Sequence, residues 1–200
     1  MLTDGYHDLP PGYLAAVVTY LEMRAPAPLR GHPAPEGVTL TRVPAPDPAW
    51  YRALFTHVGA DWLWFSRLRL TDAALSTILS DPKVEVCAVE KDGTPQGLLE
   101  LDFREAESCE LAYFGLGPGL IGSGTGAWLM DQAISRAWSH PIRRFHVHTC
   151  TLDSPQALGF YIRSGFMPVR RRIEITEDPR LTGDLPRDAA SHIPIVAPDS

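Results

Sequence analysis

The sequence predicts an α+β domain: a mixed, largely antiparallel central sheet that carries one βαβ unit and has helices on its flanks. Three observations lead there. Three β-like runs at 85–90, 96–103 and 108–116 follow one another closely, with links short enough for antiparallel hairpins. A glycine cluster and a helical pattern then lead to another β-like run at 144–150, giving strand, glycine turn, helix and strand, with those two strands parallel. Finally, 200 residues with an ordinary apolar share can bury one sizeable core, so one domain is the default.

From the N-terminus, the longest apolar run, 14–21, contains Thr19 and Tyr20 and follows Asp4 and Asp8 instead of a basic stretch. It falls well short of the roughly 20 residues that span a bilayer. It therefore reads as folded structure in a cytoplasmic protein with no membrane partner. Pro26, Pro28, Pro33 and Pro35, with Gly31 among them, set off residues 1–36 as an N-terminal element and Pro-rich linker. The body, 37–176, opens with a strand-like alternation at 38–43, and Asp47-Pro48 then starts a helix through Tyr51, Leu54 and Val58. The stretch Asp61-Trp62-Leu63-Trp64-Phe65 is too aromatic for an idle loop. Thr71-Asp72-Ala73 begins a second helix with Leu75, Ile78 and Leu79 on one face.

Lys91-Asp92-Gly93 turns the first of the three β-like runs into the second. After them, Ala127, Met130, Ala133, Ile134 and Ala137 mark the helix of the βαβ unit. Ser154-Pro155 opens a further helix with proline in its first turn, carrying Ala157, Leu158, Tyr161 and Ile162 and closed by Gly165 at C′. Residues 167–175 read as a last strand. The tail, 177–200, is rich in Pro, Asp and Gly and packs on the domain or extends from it.

A net charge of −6 argues against sequence-independent nucleic-acid binding, which needs a Lys/Arg surplus to neutralise phosphates. Cys87, Cys109 and Cys150 are odd in number and widely spaced, and read as buried free thiols in a reducing compartment. His146 and His148 are close, but no C-x-x-C or H-E-x-x-H accompanies them, so no metal site is expected.

Gly115, Gly117, Gly119, Gly122, Gly124 and Gly126 stand between a strand and a helix. Such a turn offers backbone N–H groups at a helix N-terminus, where an anion is favoured, and glycine permits both close approach and positive φ. A flexible turn cluster is the plainer alternative. Two overlapping matches to G-x-G-x-x-G/A show how weak the dinucleotide pattern is here. The next strand ends on Thr149-Cys150 instead of an acidic residue, and no Gly-Lys-Ser/Thr follows, so neither a dinucleotide fold nor a triphosphate loop fits.

A longer pattern fits better. Ile121-Gly122-Ser123-Gly124-Thr125-Gly126 matches Q/R-x-x-G-x-G/A except at its first letter, and 154–166 matches N-x-x-A-x-x-x-Y-x-x-x-G-F through Ala157, Tyr161, Gly165 and Phe166, with Ser154 for the asparagine. On these two motifs the chain resembles the GNAT superfamily of N-acetyltransferases. The resemblance implies acetyl-CoA as cosubstrate, a bulged strand that parts from its parallel neighbour to admit the pantetheine arm, and direct acetyl transfer to a primary amine of a small molecule or peptide in a ternary complex. It implies pantetheine contacts from the backbone of Phe114 and Leu116, pyrophosphate contacts from the amides of Gly122, Ser123, Gly124, Thr125, Gly126 and Ala127, and a cofactor contact from Ser154. Asp153 stands beside Ser154 as a substitute for the missing asparagine, in helix capping or cofactor bonding. A homodimer is also compatible with family habit.

By the same resemblance Tyr161 is the general acid at the sulfur, although Ala157, Tyr161 and Gly165 also share a helix face on which a core aromatic would sit. The resemblance also implies a base at Glu110, eleven residues before the first letter of the glycine motif, where several GNAT enzymes carry a carboxylate or imidazole; partial burial would raise such a carboxyl toward neutral pKa, and a strand-end surface charge is the alternative. Glu100 and Asp102 on the neighbouring strand compete with it, and His146 and His148 could form a relay. Trp62, Trp64 and Phe65 fall where the resemblance places the acceptor surface, with Asp61 as an ammonium partner; core filling explains them equally well. A catalytically silent acyl-CoA-binding or sensor module is the main alternative, favoured by Ile121 and Ser154, and a nucleotide-binding protein with the same turn is a third.

Overall fold

The three closely spaced β-like runs fold as an antiparallel meander in the computed structural model, which describes residues 3–198. They are β3 (Val84–Lys91), β4 (Thr94–Asp102) and β5 (Ser108–Leu116), with β2 (Val38–Arg42) added antiparallel to β3. Asp92 and Gly93 take φ of +50° and +79°, as a two-residue hairpin turn requires. With β1 (Tyr13–Met23), β6 (Arg144–Cys150) and β7 (Met167–Glu177), the sheet has seven strands in the order β2-β3-β4-β5-β6-β1-β7. Only β5 and β6 run parallel.

Helices cover both faces. Asp47 caps α1 (Pro48–Gly59) by accepting from the Ala49 and Trp50 amides at 2.9 and 3.2 Å, and Thr71 caps α2 (Asp72–Leu79) by accepting from Ala74 at 3.2 Å. These helices bury Tyr51, Phe55, Leu75 and Leu79 against Val84, Val86, Ala88 and Leu98. Alternate residues of the same strands, Cys87, Val89, Leu99 and Leu101, face the opposite core with Leu129 and Ala133 of α3 (Thr125–Trp138) and Tyr161 of α4 (Ala157–Arg163). Burial on both faces explains why β3 lacks a polar–apolar alternation.

The N-terminal element is not a separate unit ahead of the body. β1 lies inside the sheet, antiparallel to β6 (Val18↔Cys150) and to β7 (Ala16↔Glu174). It buries Leu14, Ala16, Val18, Leu21 and Met23, and buried Thr19 breaks the period-two pattern that would have identified a strand. The proline-rich segment after it is anchored too: the Arg30 and His32 amides donate to the buried Asp131 carboxylate of α3 at 3.2 and 3.1 Å. A boundary at 36/37 therefore does not divide the packing. The tail folds back, since buried Arg180 pairs with Asp178 at 2.7 Å and donates to the Ile193 carbonyl at 2.8 Å. Leu185 and Ala189 of the tail pack with Leu14 and Leu63.

Candidate active site

The site begins with a bulge. Glu100 stands opposite Tyr113 and Leu101 opposite Leu111, which leaves Ala112 as the extra residue of β5. β5 and β6 pair only from Ser108 to Glu110 and then separate, so that from Leu111 to Leu116 the edge of β5 facing β6 has no strand partner among the described residues. The separation opens a cleft of about 390 Å³ lined by Phe114 and Leu116 on one wall and by His148, Tyr161 and Ser154 on the other. A cleft of this size suits a small organic ligand.

The glycine turn closes one end. After a 3-10 turn at Pro118–Leu120, Gly122 and Gly124 take φ of +79° and +85°, and a Cβ at either would meet no atom within 4 Å. Glycine is thus required by the backbone angle, and the space beside it is open. Ser123 Oγ donates to the Leu120 carbonyl at 2.7 Å and lies 2.7 Å from Thr125 Oγ1, while the Ala127 amide donates to the Gly124 carbonyl at 3.1 Å. The expected row of phosphate donors from Gly122 to Ala127 is therefore too long. Among the described residues only the amides of Gly122, Gly124 and Gly126 in this row have no acceptor, the Ser123 and Thr125 amides having long contacts of 3.5 and 3.4 Å within the turn. Ala127 faces a smaller cavity beside Arg30 and Phe160.

Ile121 is 62 % exposed and lines the cleft, where it offers no polar atom from its side chain. The one Arg or Lys of the lining is Arg163, which makes no ion pair among the described residues. Its guanidinium lies close to Gly159, where a Cβ would sit 3.0 Å from Arg163 Nη1. Sequence reasoning missed Arg163 because it occupies a variable position of the second motif.

Tyr161 is 7 % exposed and packs against Phe114, Phe160 and Phe166. Burial, helped by the Asp153 charge, pushes its hydroxyl pKa well up, so it holds its proton at neutral pH. Glu110 departs from expectation in two ways. It does not line the cleft, and its pKa is lowered instead of raised, because the bond with His148 outweighs burial. His148 Nδ1 lies 3.3 Å from Glu110 Oε1, and that bond raises the imidazole pKa above its ordinary value of 6.5. The group that reaches the cleft is His148, with Glu110 behind it.

The other candidate bases are engaged elsewhere. Glu100 is fully buried, bonded by the Tyr51 hydroxyl and by Arg67 at 2.5 Å, and Asp102 is clasped by Arg104 at 2.6 Å. His146 does not line the cleft, and burial lowers its pKa. Asp153 caps no helix: it accepts from Thr149 Oγ1 at 2.7 Å, from the Cys150 amide at 2.8 Å and from the Trp64 indole at 3.4 Å. With no side-chain cap, α4 begins at Ala157 and Ser154-Pro155 forms a turn before it. Cys87 and Cys109 are buried free thiols, but Cys150 is partly exposed and lines the cleft, with burial pushing its pKa up to about 11. Among the described residues no group of three or more His, Cys, Asp or Glu side chains could hold a metal ion.

Trp62, Trp64 and Phe65 all line the cleft and also pack: Trp64 against Phe55 and Tyr113, Phe65 under the Arg69 guanidinium at 4.2 Å. Asp61 is exposed and does not line it. The sheet adds residues that the sequence did not indicate, Leu14 and Ala16 from β1 and Glu174 and Thr176 from β7.

A family model described as the acetyltransferase (GNAT) family matches residues 49–166, more than half of the chain, and spans both the bulged strand and the glycine turn. The chain belongs to the GNAT acetyltransferase family. The GNAT fold is shared with solved structures. A GCN5-related N-acetyltransferase from Sphaerobacter thermophilus aligns with a TM-score of 0.63 at 18 % identity over 83 % of this chain and 53 % of its own. A GCN5-related N-acetyltransferase from Kribbella flavida gives 0.54 at 18 % identity over 86 % and 63 %. An aminoglycoside acetyltransferase from an uncultured soil metagenomic sample, crystallised with trehalose, gives 0.53 at 14 % identity over 64 % and 87 %. The chain thus spans about half the length of the Sphaerobacter GNAT protein. A search of curated protein sequences finds no match to the chain. No helix among the described residues is long and apolar enough to cross a membrane.

Proposed function

We propose that this GNAT protein is an N-acetyltransferase that moves the acetyl group of acetyl-CoA to a primary amine of a small molecule or peptide, by direct attack in a ternary complex. The carrying observation is one cleft lined by two chemically different sets of groups. Arg163 and Gly126 line it, the acceptor-free amides of Gly122 and Gly124 belonging to the same glycine turn, and Tyr161 and His148 line it too, with Glu110 bonded behind the imidazole. These groups fit the cosubstrate: three acceptor-free amides and a free guanidinium suit phosphates, and the unpaired edge of β5 at Phe114 and Leu116 suits the amides of a pantetheine arm. Ser154 stands in the same wall.

Acetyl-CoA supplies the activated acyl carbon. Neutral His148 accepts a proton at its free imidazole nitrogen from the acceptor's ammonium, and Glu110 orients the ring through Nδ1. Tyr161 donates its phenolic proton at the departing sulfur and regains one from the nitrogen, through water, as the amide forms. Cys150, the one thiol lining the cleft among the described residues, is protonated at neutral pH and a poor nucleophile, which favours direct transfer over an acyl-enzyme.

Two predictions arise here. Because His148 must be neutral to act and Glu110 raises its pKa, kcat/KM rises with pH through an inflection above 6.5. Removing the carboxylate in Glu110→Gln removes what raises that pKa, so the inflection moves to lower pH; an unmoved inflection contradicts the pair. Replacing Arg163 with Gln weakens acetyl-CoA binding about 10–100-fold, the range for one lost charge-assisted bond. Isothermal titration reads this directly.

The silent acyl-CoA-binding or sensor reading rests on Ile121 and Ser154 standing where the family pattern has polar side chains. Amine-dependent thiol release from acetyl-CoA separates the two: release confirms the enzyme, and tight binding without release across a broad amine panel favours the sensor. A cytoplasmic homodimer belongs to the same proposal. Exposed Met167, Val169, Ile173 and Ile175 on the edge strand β7 support it, and light scattering tests it.

A further inference from the structure

The acceptor end of the cleft is aromatic and carries little free negative charge. Trp62, Trp64 and Phe65 line it from the α1–α2 connection, and Leu14 and Ala16 line it from β1. The acidic side chains in the lining are Asp153 and Glu174. Asp153 is consumed by the Thr149 hydroxyl, the Cys150 amide and the Trp64 indole. Behind the lining, Glu110 is consumed by His148 and Glu100 by Arg67 and Tyr51. Glu174 alone is free: it makes no ion pair or hydrogen bond among the described residues, and the rise of the His148 pKa, set first by the Glu110 bond, takes only a minor contribution from its charge.

Every further ammonium on an acceptor would need its own counter-charge or remain in water, and every further hydroxyl would be desolvated against indole and phenyl rings. Glu174 can hold one ammonium in the same cleft as the imidazole that takes a proton. The rings favour an apolar or aromatic body and add cation–π attraction at the charged head. We infer that the acceptor is a small monoamine, one primary ammonium on an aromatic or alkyl body, with Glu174 as the residue that selects it, and that polyhydroxylated polycations are excluded. The inference rests on the N-acetyltransferase reading and narrows it; the aminoglycoside acetyltransferase of similar fold makes the contrast a real one.

The test uses the whole chain with phenethylamine and n-hexylamine on one side and sisomicin on the other. Quenching of tryptophan fluorescence reports amine binding without turnover, and thiol release from acetyl-CoA reports transfer. The expected result is binding and transfer of both monoamines with kcat/KM at least about tenfold above sisomicin, and a rise of about tenfold in both the monoamine KM and the quenching constant in Glu174→Gln. The acetyl-CoA dissociation constant should not change in that variant. Glu174 is exposed on an edge strand, so the substitution leaves the core intact. Acetyl-CoA binding with preference for sisomicin, with no monoamine bound or acetylated, or with Glu174→Gln indistinguishable from wild type overturns the inference and leaves the acetyl-CoA site standing. Failure to bind acetyl-CoA brings down the N-acetyltransferase reading and the inference with it.

Discussion

Replacing Tyr161 with Phe is expected to lower kcat about 10²–10⁴-fold, the range for loss of a positioned general acid, while acetyl-CoA binds as before. That loss corresponds to about 3–5 kcal/mol of transition-state stabilisation. The substitution is clean because the ring, which packs on Phe114, Phe160 and Phe166, is retained, and the hydroxyl makes no hydrogen bond among the described residues. A wild-type turnover in this variant would show that the leaving thiolate is protonated by another group, and would return Tyr161 to the role of a core aromatic.

The largest expected effect on stability comes from the buried pair under the aromatic wall. Arg67→Ala should destabilise the fold by about 3–5 kcal/mol, because it strands a buried charge without its partner. Glu100 has no exposed side-chain surface, and Arg67 retains 13 %. The Tyr51 hydroxyl donates to the same carboxylate, and the Arg67 guanidinium stacks 5.2 Å from the Tyr113 ring centroid, whose hydroxyl bonds Ser66 at the edge of the cleft. Glu100→Gln strands the Arg67 guanidinium instead, but that group keeps 13 % exposure and an amide oxygen as acceptor, so it should cost less than Arg67→Ala. Urea unfolding measures both, and equal midpoints for the two variants and wild type would contradict the assigned role.

Local features of this protein were legible in the sequence and distant pairings were not. The glycine turn, the Asp47 and Thr71 caps and the Gly165 stop depend on neighbours within a few residues, and they stand where the pattern placed them. β1 depends on partners far along the chain, and nothing in residues 14–21 says that β6 and β7 will flank them. The acceptor wall suffered most from that, since Leu14, Ala16 and Glu174 reach the cleft only because β1 lies inside the sheet.

Charge states show the same division. That Glu110 stands on the strand lining the site was legible in the sequence, but the sign of its pKa shift depends on its bond to His148 of β6. A free carboxylate in a partly desolvated site moves up; one bonded to an imidazole moves down. Likewise Ile121 leaves the turn without a polar first side chain, and the free guanidinium of Arg163 in the cleft lining is the cation proposed to stand in for it.

Everything proposed for the site depends on acetyl-CoA occupying the cleft between β5 and β6, and calorimetric titration of the purified chain with acetyl-CoA measures that directly. One saturable site is expected, weakened in Arg163→Gln and unmatched by ATP or NAD. No binding, or ATP or NAD bound as tightly as acetyl-CoA, would contradict it.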